Sequence, residues 1–332
     1  MIYNVILSGG IGSRLWPLSR KSAPKQYLPI LDGKSMFELT LLRNKTVSNA
    51  CIVVGNRDNY QHSELGLTNS GIGEYFHIIE AAPKNTAAAI AFSCFGLAEN
   101  DIVVVTPADH IINGEVQYQR ALKEGIDLAG KDVLVTFGVR PSKPETGYGY
   151  IERSGNRVVS FREKPDLDTA VGFLENGSFL WNSGMFCFKA GVYLDELKLH
   201  KPMVFQAALN TWQNRSGSFL PEDETMLIPS ISVDYAVMER SENLRVIEAD
   251  FGWSDLGSFD AIWDYRDSVS IDKAKMSNMS MTTLNKHVEF IGIENLILIE
   301  TADAILVMPR NQSQKVKEIF ERLEEERPEL VK

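Results

Sequence analysis

Four basic side chains, Arg14, Arg20, Lys21 and Lys25, stand in an N-terminal run that carries no Asp or Glu before Asp32. Gly9, Gly10 and Gly12 lie at its head, with Leu7, Ser8 and Ser13 around them. Glycine lets a backbone take positive φ and approach a ligand closely, and successive free N–H groups converge on phosphate oxygens. A ligand with several phosphates is the chemistry this stretch suits. The spacing is not Gly-x-Gly-x-x-Gly, and no Gly-Lys-Ser/Thr closes a P-loop. The alternative is a plain strand-to-loop connection with surface cations. It leaves unexplained why a glycine nest, an acid-free run and these cations coincide after a first strand.

Carboxylates follow at strand ends and turns. Pro107-Ala108-Asp109-His110 comes directly after the apolar run 102–105, so Asp109 stands at the C-terminal end of a predicted strand. Asp255 sits in Gly252-Trp253-Ser254-Asp255-Leu256-Gly257, a glycine-flanked turn. Either acid can instead cap a turn or a helix. Two carboxylates with phosphate oxygens suit Mg²⁺, which favours hard oxygen ligands. The five histidines are scattered and make no zinc spacing. Glu80 and Lys84-Asn85-Thr86-Ala87 precede an alanine-rich segment, where a helix N-terminus favours anionic and polar ligand groups. Four more polar strings recur: Tyr148-Gly149, Glu163-Lys164, Asn182-Ser183 and the segment 232–239 with Asp234. Each alone reads equally as a surface turn or an exposed ion pair.

The positioning elements follow from periodicity. Apolar runs at 5–7, 51–55, 75–79, 102–105 and 133–137 read as strands. Helices are expected at 37–46, at 86–98 with Thr86 as cap, and at 117–129. Strands alternating with helices imply an α/β fold, with a mixed, mostly parallel sheet and helices on both faces. Ligands bind beyond the carboxyl ends of such strands. After Val139 the glycine-rich and aromatic segments read as antiparallel strands, with helices near 167–175, 191–199, 203–213 and 232–240. From residue 268 the pattern changes to short β-prone pieces at 288–293, 296–300 and 304–309. A last helix follows, capped by Asn311 with Gln314 three residues on. Two domains result: residues 1–267 and a small β domain, 268–332.

Composition narrows the class. A chain of 332 residues with 44% hydrophobic and 23% charged residues is that of a globular protein. A net charge of −10 argues against nucleic-acid or anionic-membrane partners, so the basic N-terminus is a local device. Cys51, Cys94 and Cys187 make neither a metal spacing nor a disulfide framework. Free thiols, no signal peptide ahead of the first strand and no long apolar stretch lead us to expect a cytoplasmic protein.

Gly9-Gly10-x-Gly12-x-Arg14-Leu15-Trp16-Pro17-Leu18-Ser19-Arg20, followed by Pro24-Lys25-Gln26, resembles the signature of the sugar-nucleotide pyrophosphorylases. Its spelling is similar to that of the mannose-1-phosphate guanylyltransferase branch. The resemblance implies a Rossmann-like catalytic domain and a rudimentary left-handed β-helix that often supports homodimers. It implies that Leu7, Ser8, Gly9, Gly10, Gly12, Ser13, Arg14, Lys25, Glu80, Asn85, Thr86, Pro107 and Asp109 bind the nucleotide. The family pattern Glu-Pro-x-x-Arg-Asn-Thr-Ala is altered here at Ala81 and Lys84. Tyr148, Gly149, Glu163, Lys164, Asn182, Ser183, Asp234 and Asp255 are implied to bind the sugar phosphate. Asp109 and Asp255 are implied to hold Mg²⁺, with Arg14 and Lys25 on the reacting and departing phosphates.

The expected reaction joins GTP and mannose 1-phosphate into GDP-mannose and pyrophosphate. The attacking phosphate is already an anion, so no general base is required, and positioning and charge stabilisation carry the catalysis. The alternatives are a guanylyltransferase for manno-heptose or glucose 1-phosphate, and a non-catalytic sugar-nucleotide-binding regulatory subunit. A nicotinamide dehydrogenase does not fit the first loop. The length is expected to leave no room for a fused phosphomannose isomerase domain.

Overall fold

The computed structural model describes residues 1–29, 33–269, 277–284 and 286–332. Its chain divides into two units. The first holds Met1–Gly9, Glu38–Ala108 and Ile112–Trp253; the second holds Gly10–Phe37, Asp109–Ile111 and Ser254–Lys332.

The strands up to the middle of the chain are β1 (Ile2–Leu7), β2 (Ala50–Asn56), β3 (Tyr75–Glu80), β4 (Ile102–Pro107), the short β5 (Ile111–Asn113) and β6 (Leu134–Val139). Then come β7 (Tyr150–Ser154), β8 (Arg157–Arg162), β9 (Phe179–Lys189), β10 (Leu244–Ala249) and the short β11 (Gly252–Ser254). Nine of them form one sheet in the order β3-β2-β1-β4-β9-β6-β10-β8-β7. The β3-β2-β1-β4 half is parallel throughout. β6 and β10 are also parallel, whereas β9 runs antiparallel between β4 and β6. Parallel pairing therefore dominates the alternating strand–helix half and antiparallel pairing the aromatic, glycine-rich half, with β6–β10 as the parallel exception.

Period-two alternation explains the two cores of this unit. Val103, Val105, Phe186 and Phe188 enter one cluster, while the intervening Val104 and Cys187 enter the other. The helix Thr86–Phe95 is buried along almost its whole length, which its small alanines allow. Its cap corrects the sequence expectation: Asn85 is the N-cap, its side-chain oxygen accepting from the Thr86 N–H at 2.9 Å. Thr86 is the first helical residue, and its hydroxyl oxygen instead accepts from the Val233 N–H at 2.8 Å. The segment expected as a helix at 232–240 is a single π-type turn, Asp234–Met238.

The second unit has its own core, in which Leu15 and Trp16 meet Phe259, Trp263, Ile297 and Phe320. Its strands β12 (Met279–Thr282), β13 (Leu296–Glu300) and β14 (Ile305–Pro309) form a three-stranded sheet, closed by helix Val316–Glu326. Two expectations fail here. Residues 288–293 form no strand, and among the described residues the sheet is built by β12, β13 and β14 alone. Asn311 does not cap the last helix; Arg310–Lys315 is a tight 3₁₀ turn, and the helix begins at Val316.

The Trp16–Arg20 motif is anchored inside this unit. The Trp16 indole N–H donates to the Leu330 carbonyl at 2.9 Å. Arg20 donates to both carboxylate oxygens of Asp303, at 2.9 and 2.5 Å, and to the Leu330 carbonyl at 2.9 Å. Lys21 pairs with Glu324 at 2.6 Å. Arg20 and Lys21, two of the four cations in the opening run, are thus tied to acids of the C-terminal segment.

Candidate active site

Lys25 is the centre of the second unit's polar group. It opens the 3₁₀ turn Lys25–Tyr27 and is only 4% exposed. Its ammonium lies 2.9 Å from an Asp109 carboxylate oxygen and donates to the Asp255 main-chain carbonyl at 2.7 Å. Lys25, Asp109 and Asp255 are therefore brought to one nitrogen from three distant stretches of sequence. Arg14, half-buried, stands in the turn Ser13–Leu15, capped by Gly12 in the left-handed conformation.

The loop that carries them is fixed by short contacts. The Lys25 N–H donates to the Ile11 carbonyl at 3.0 Å and the Gln26 amide to the Gly10 carbonyl at 2.9 Å. The Ser19 hydroxyl donates to the Gly12 carbonyl at 2.5 Å. Gly12 is required twice over. Its φ is +78°, and a Cβ there would stand 2.5 Å from Lys25 Cβ. Gly257 plays a similar part for Asp255, whose Oδ1 accepts from the Gly257 N–H at 2.9 Å. A Cβ at Gly257 would lie 2.5 Å from Asp255 Oδ2.

Burial pushes the Asp109 carboxyl up, but the Lys25 ammonium, His110 and hydrogen bonds outweigh it and hold it below the usual carboxylate range. Asp109 is thus an ionised oxygen donor, and Asp255 offers a second carboxylate. This donor set, hard oxygens only, fits Mg²⁺. His110 stands 3.7 Å from Asp109.

The first unit carries the other predicted residues. Leu7 and Pro107 are register partners at the ends of β1 and β4. Ser8 is 1% exposed, and Gly9 has open space where a side chain would be. Asn59, which sequence reasoning missed, donates to the Ser8 carbonyl at 2.9 Å. The polar string Asn56-Arg57-Asp58-Asn59 after β2 was its available signal. Glu80 ends β3 with one carboxylate oxygen buried and without a partner, and burial pushes its carboxyl up to about 8. Asn85 sits at φ +71°, its side chain committed to the cap. Lys84, where the family has arginine, donates to the Met226 carbonyl at 3.0 Å.

The residues expected to face a sugar mostly converge. The Asn182 amide donates to Asp234 at 2.9 Å, and its N–H donates to the Gly149 carbonyl at 2.8 Å. Glu163 pairs with Lys164 at 2.8 Å. A Cβ on Gly149 would lie 2.5 Å from Glu163 Oε2, so this glycine admits the acid. Burial, then the nearby Glu163 charge, push Asp234 up to about 6 against the pull of its hydrogen bonds. Tyr148 meets Trp181 and Trp253 edge-on, at ring separations of 5.2 and 5.1 Å. Ser183 departs from the group: it is fully buried, and its hydroxyl donates to the Phe137 carbonyl at 2.6 Å.

Comparison with known proteins gives the family. Residues 3–270 match the nucleotidyl transferase family model, and residues 267–323 match the MannoseP isomerase/GMP-like beta-helix domain. The xanthan biosynthesis protein XanB of Xanthomonas campestris pv. campestris is 37% identical over 96% of this chain and 72% of its own. The mannose-1-phosphate guanylyltransferase of Escherichia coli is 37% identical over 98% of this chain and 74% of its own. A Thermus thermophilus structure, described as a mannose-1-phosphate geranyltransferase, aligns with a TM-score of 0.82 and 29% identity, covering 97% of this chain and 99% of that one. The chain belongs to the nucleotidyl transferase family and, within it, to the mannose-1-phosphate guanylyltransferases.

Proposed function

We propose that this enzyme transfers GMP from GTP to mannose 1-phosphate, releasing pyrophosphate. The observation that carries the reading is the Lys25 ammonium, held within 3 Å of both the Asp109 carboxylate and the Asp255 carbonyl. Family membership supplies the reaction class, and the cation–carboxylate group supplies the means of handling polyphosphate. Gly9, Gly10 and Gly12 admit the triphosphate, Arg14 takes the reacting phosphate and Lys25 stabilises the departing one. Asp109 and Asp255 would hold Mg²⁺, which when bound offsets repulsion between the two polyanions. Glu80, Asn85 and Thr86 serve the base and ribose. Glu163 and Asp234 accept hydroxyls of the sugar, with Asn182 positioning Asp234, and Lys164 anchors the sugar phosphate. Catalysis is then positioning and charge stabilisation, and no proton need move.

The same reading divides the chain into a catalytic domain, 1–267, and a β domain, 268–332, supported by two family models whose matches overlap over 267–270. It makes the enzyme cytoplasmic and a homodimer. Ile305 and Val307, exposed on the edge strand β14, support the dimer. The decisive experiment is pyrophosphate release from GTP with mannose 1-phosphate, against ATP and glucose 1-phosphate. Rapid release only with the first pair is the expected result. Equal rates with ATP would remove the guanylyl assignment.

A further inference from the structure

The second unit has a feature that the proposed reaction leaves unused. A cavity of about 480 Å³ is lined by Arg266, Leu28, Ser280, Thr282, Thr283 and Thr301, among others. That volume lies within the usual range of small-molecule sites. Arg266 projects from the helix Phe259–Val269 and is about half removed from water. Among the described residues it forms no ion pair, and burial alone pushes its guanidinium below the usual arginine range. Of the described acids close in sequence to the lining strands, Asp303 pairs with Arg20 and Glu300 with Lys286. A second arginine beside this helix, Arg310, shows the usual solution, since it reaches both Asp260 and Asp264. A partly desolvated cation without a carboxylate costs free energy unless an anion is supplied.

We propose that this cavity is a second, non-catalytic site for a small phosphorylated sugar. The guanidinium offers a planar fork of donors that matches one phosphate. Ser280 and Thr283 offer hydroxyls to a polyol body; Thr282 and Thr301, whose hydroxyls donate to the Lys286 carbonyl and to Asp303 or Ala304, offer acceptors, and Leu28 covers its carbon edges. A purely apolar ligand would leave the arginine unpaired, and a polyphosphate would meet only one cation among the described lining residues. This site lies outside the proposed reaction and does not depend on it.

The test is equilibrium dialysis of the intact protein with radiolabelled mannose 1-phosphate, comparing wild type, Arg266→Gln and Arg266→Lys. The expected result is one site per chain fewer in Arg266→Gln, with partial retention in Arg266→Lys. Initial rates at saturating substrates should be unchanged, which also shows that the variants fold. The same stoichiometry in wild type and both variants would overturn the proposal. If the reading of the catalytic group fails instead, Lys164→Ala will leave the stoichiometry untouched while Arg266→Gln still lowers it. If both variants lose activity, Thr282→Val at the same cavity must lower the stoichiometry or the assignment falls.

Discussion

Asp109 in the second unit and Asp234 in the first are both half-buried aspartates, yet their carboxyls shift in opposite directions. Asp109 has Lys25 at 2.9 Å and stays ionised well into acid. Asp234 has an amide donor and a second acid, Glu163, and is pushed up to about 6. Burial raises both, so the neighbour decides the sign. One group is built around a fixed cation and suits phosphate and metal chemistry. The other is crowded with acceptors and suits hydroxyl donors, which relieve that crowding without bringing charge.

The largest test of this contrast is Lys25→Ala, which strips the cation from its group. Turnover should fall about 10²-fold or more, read as pyrophosphate release, with the circular dichroism spectrum unchanged. Near-normal turnover would separate Lys25 from the chemistry. Next come the two glycines that admit these side chains. Gly12→Ala should lower kcat about tenfold or more, since strained backbone of about 1–2 kcal/mol is added to a clash with the Lys25 stem. Gly149→Ala should instead raise KM for the sugar phosphate, leaving KM for GTP within about twofold, because it displaces only Glu163. A rise in both KM values would show that the two groups do not divide the substrates.

The pH dependence of stability should run in opposite senses. Asp234 has a raised folded pKa, so the stability it contributes is present below about pH 4 and lost as pH rises through about 6. Asp234→Asn should therefore gain on wild type between those values, by on the order of 2–3 kcal/mol at most, in urea unfolding. Asp109 has a lowered folded pKa, so its contribution is present above the unfolded value and lost as pH falls through the folded one. Asp109→Asn should lose on wild type at neutral pH, and the gap should close in acid. Parallel profiles would refute the contrast. The smallest expected effect is that of Arg20→Ala, which breaks the Asp303 pair: about 1–2 kcal/mol of stability with KM for GTP unchanged. A tenfold rise in that KM would return Arg20 to the phosphate group.

How far the residues alone foretold this depends on how local each signal was. The glycine loop, the strands β1 to β4 and β6, and the helix after Asn85 are local patterns and legible; the three-residue β5 is too short to show a period. The turn at Asp109 was legible because an acid directly after a buried apolar strand has few other places to be. Arg20 was read as one more cation because its partner, Asp303, lies 283 residues away. Residues 288–293 look β-prone, but a strand forms only where a partner strand pairs with it, and local sequence does not name the partner. Ser183 shares its neighbours' polarity, yet its hydroxyl turns inward to Phe137, which no spacing predicts. Asn85 rather than Thr86 caps its helix by taking a positive φ, which nothing in the local spacing signals. Lys84 replaces the family's arginine and finds a carbonyl that a point charge satisfies as well as a fork would.

The grip of Lys25 on the main-chain oxygen at position 255 separates posture from chemistry. Every amino acid supplies that oxygen, so no replacement of the Asp255 side chain unseats the lysine. Variants at 255 will therefore report on metal and sugar phosphate alone, while the charge beside the triphosphate keeps its place.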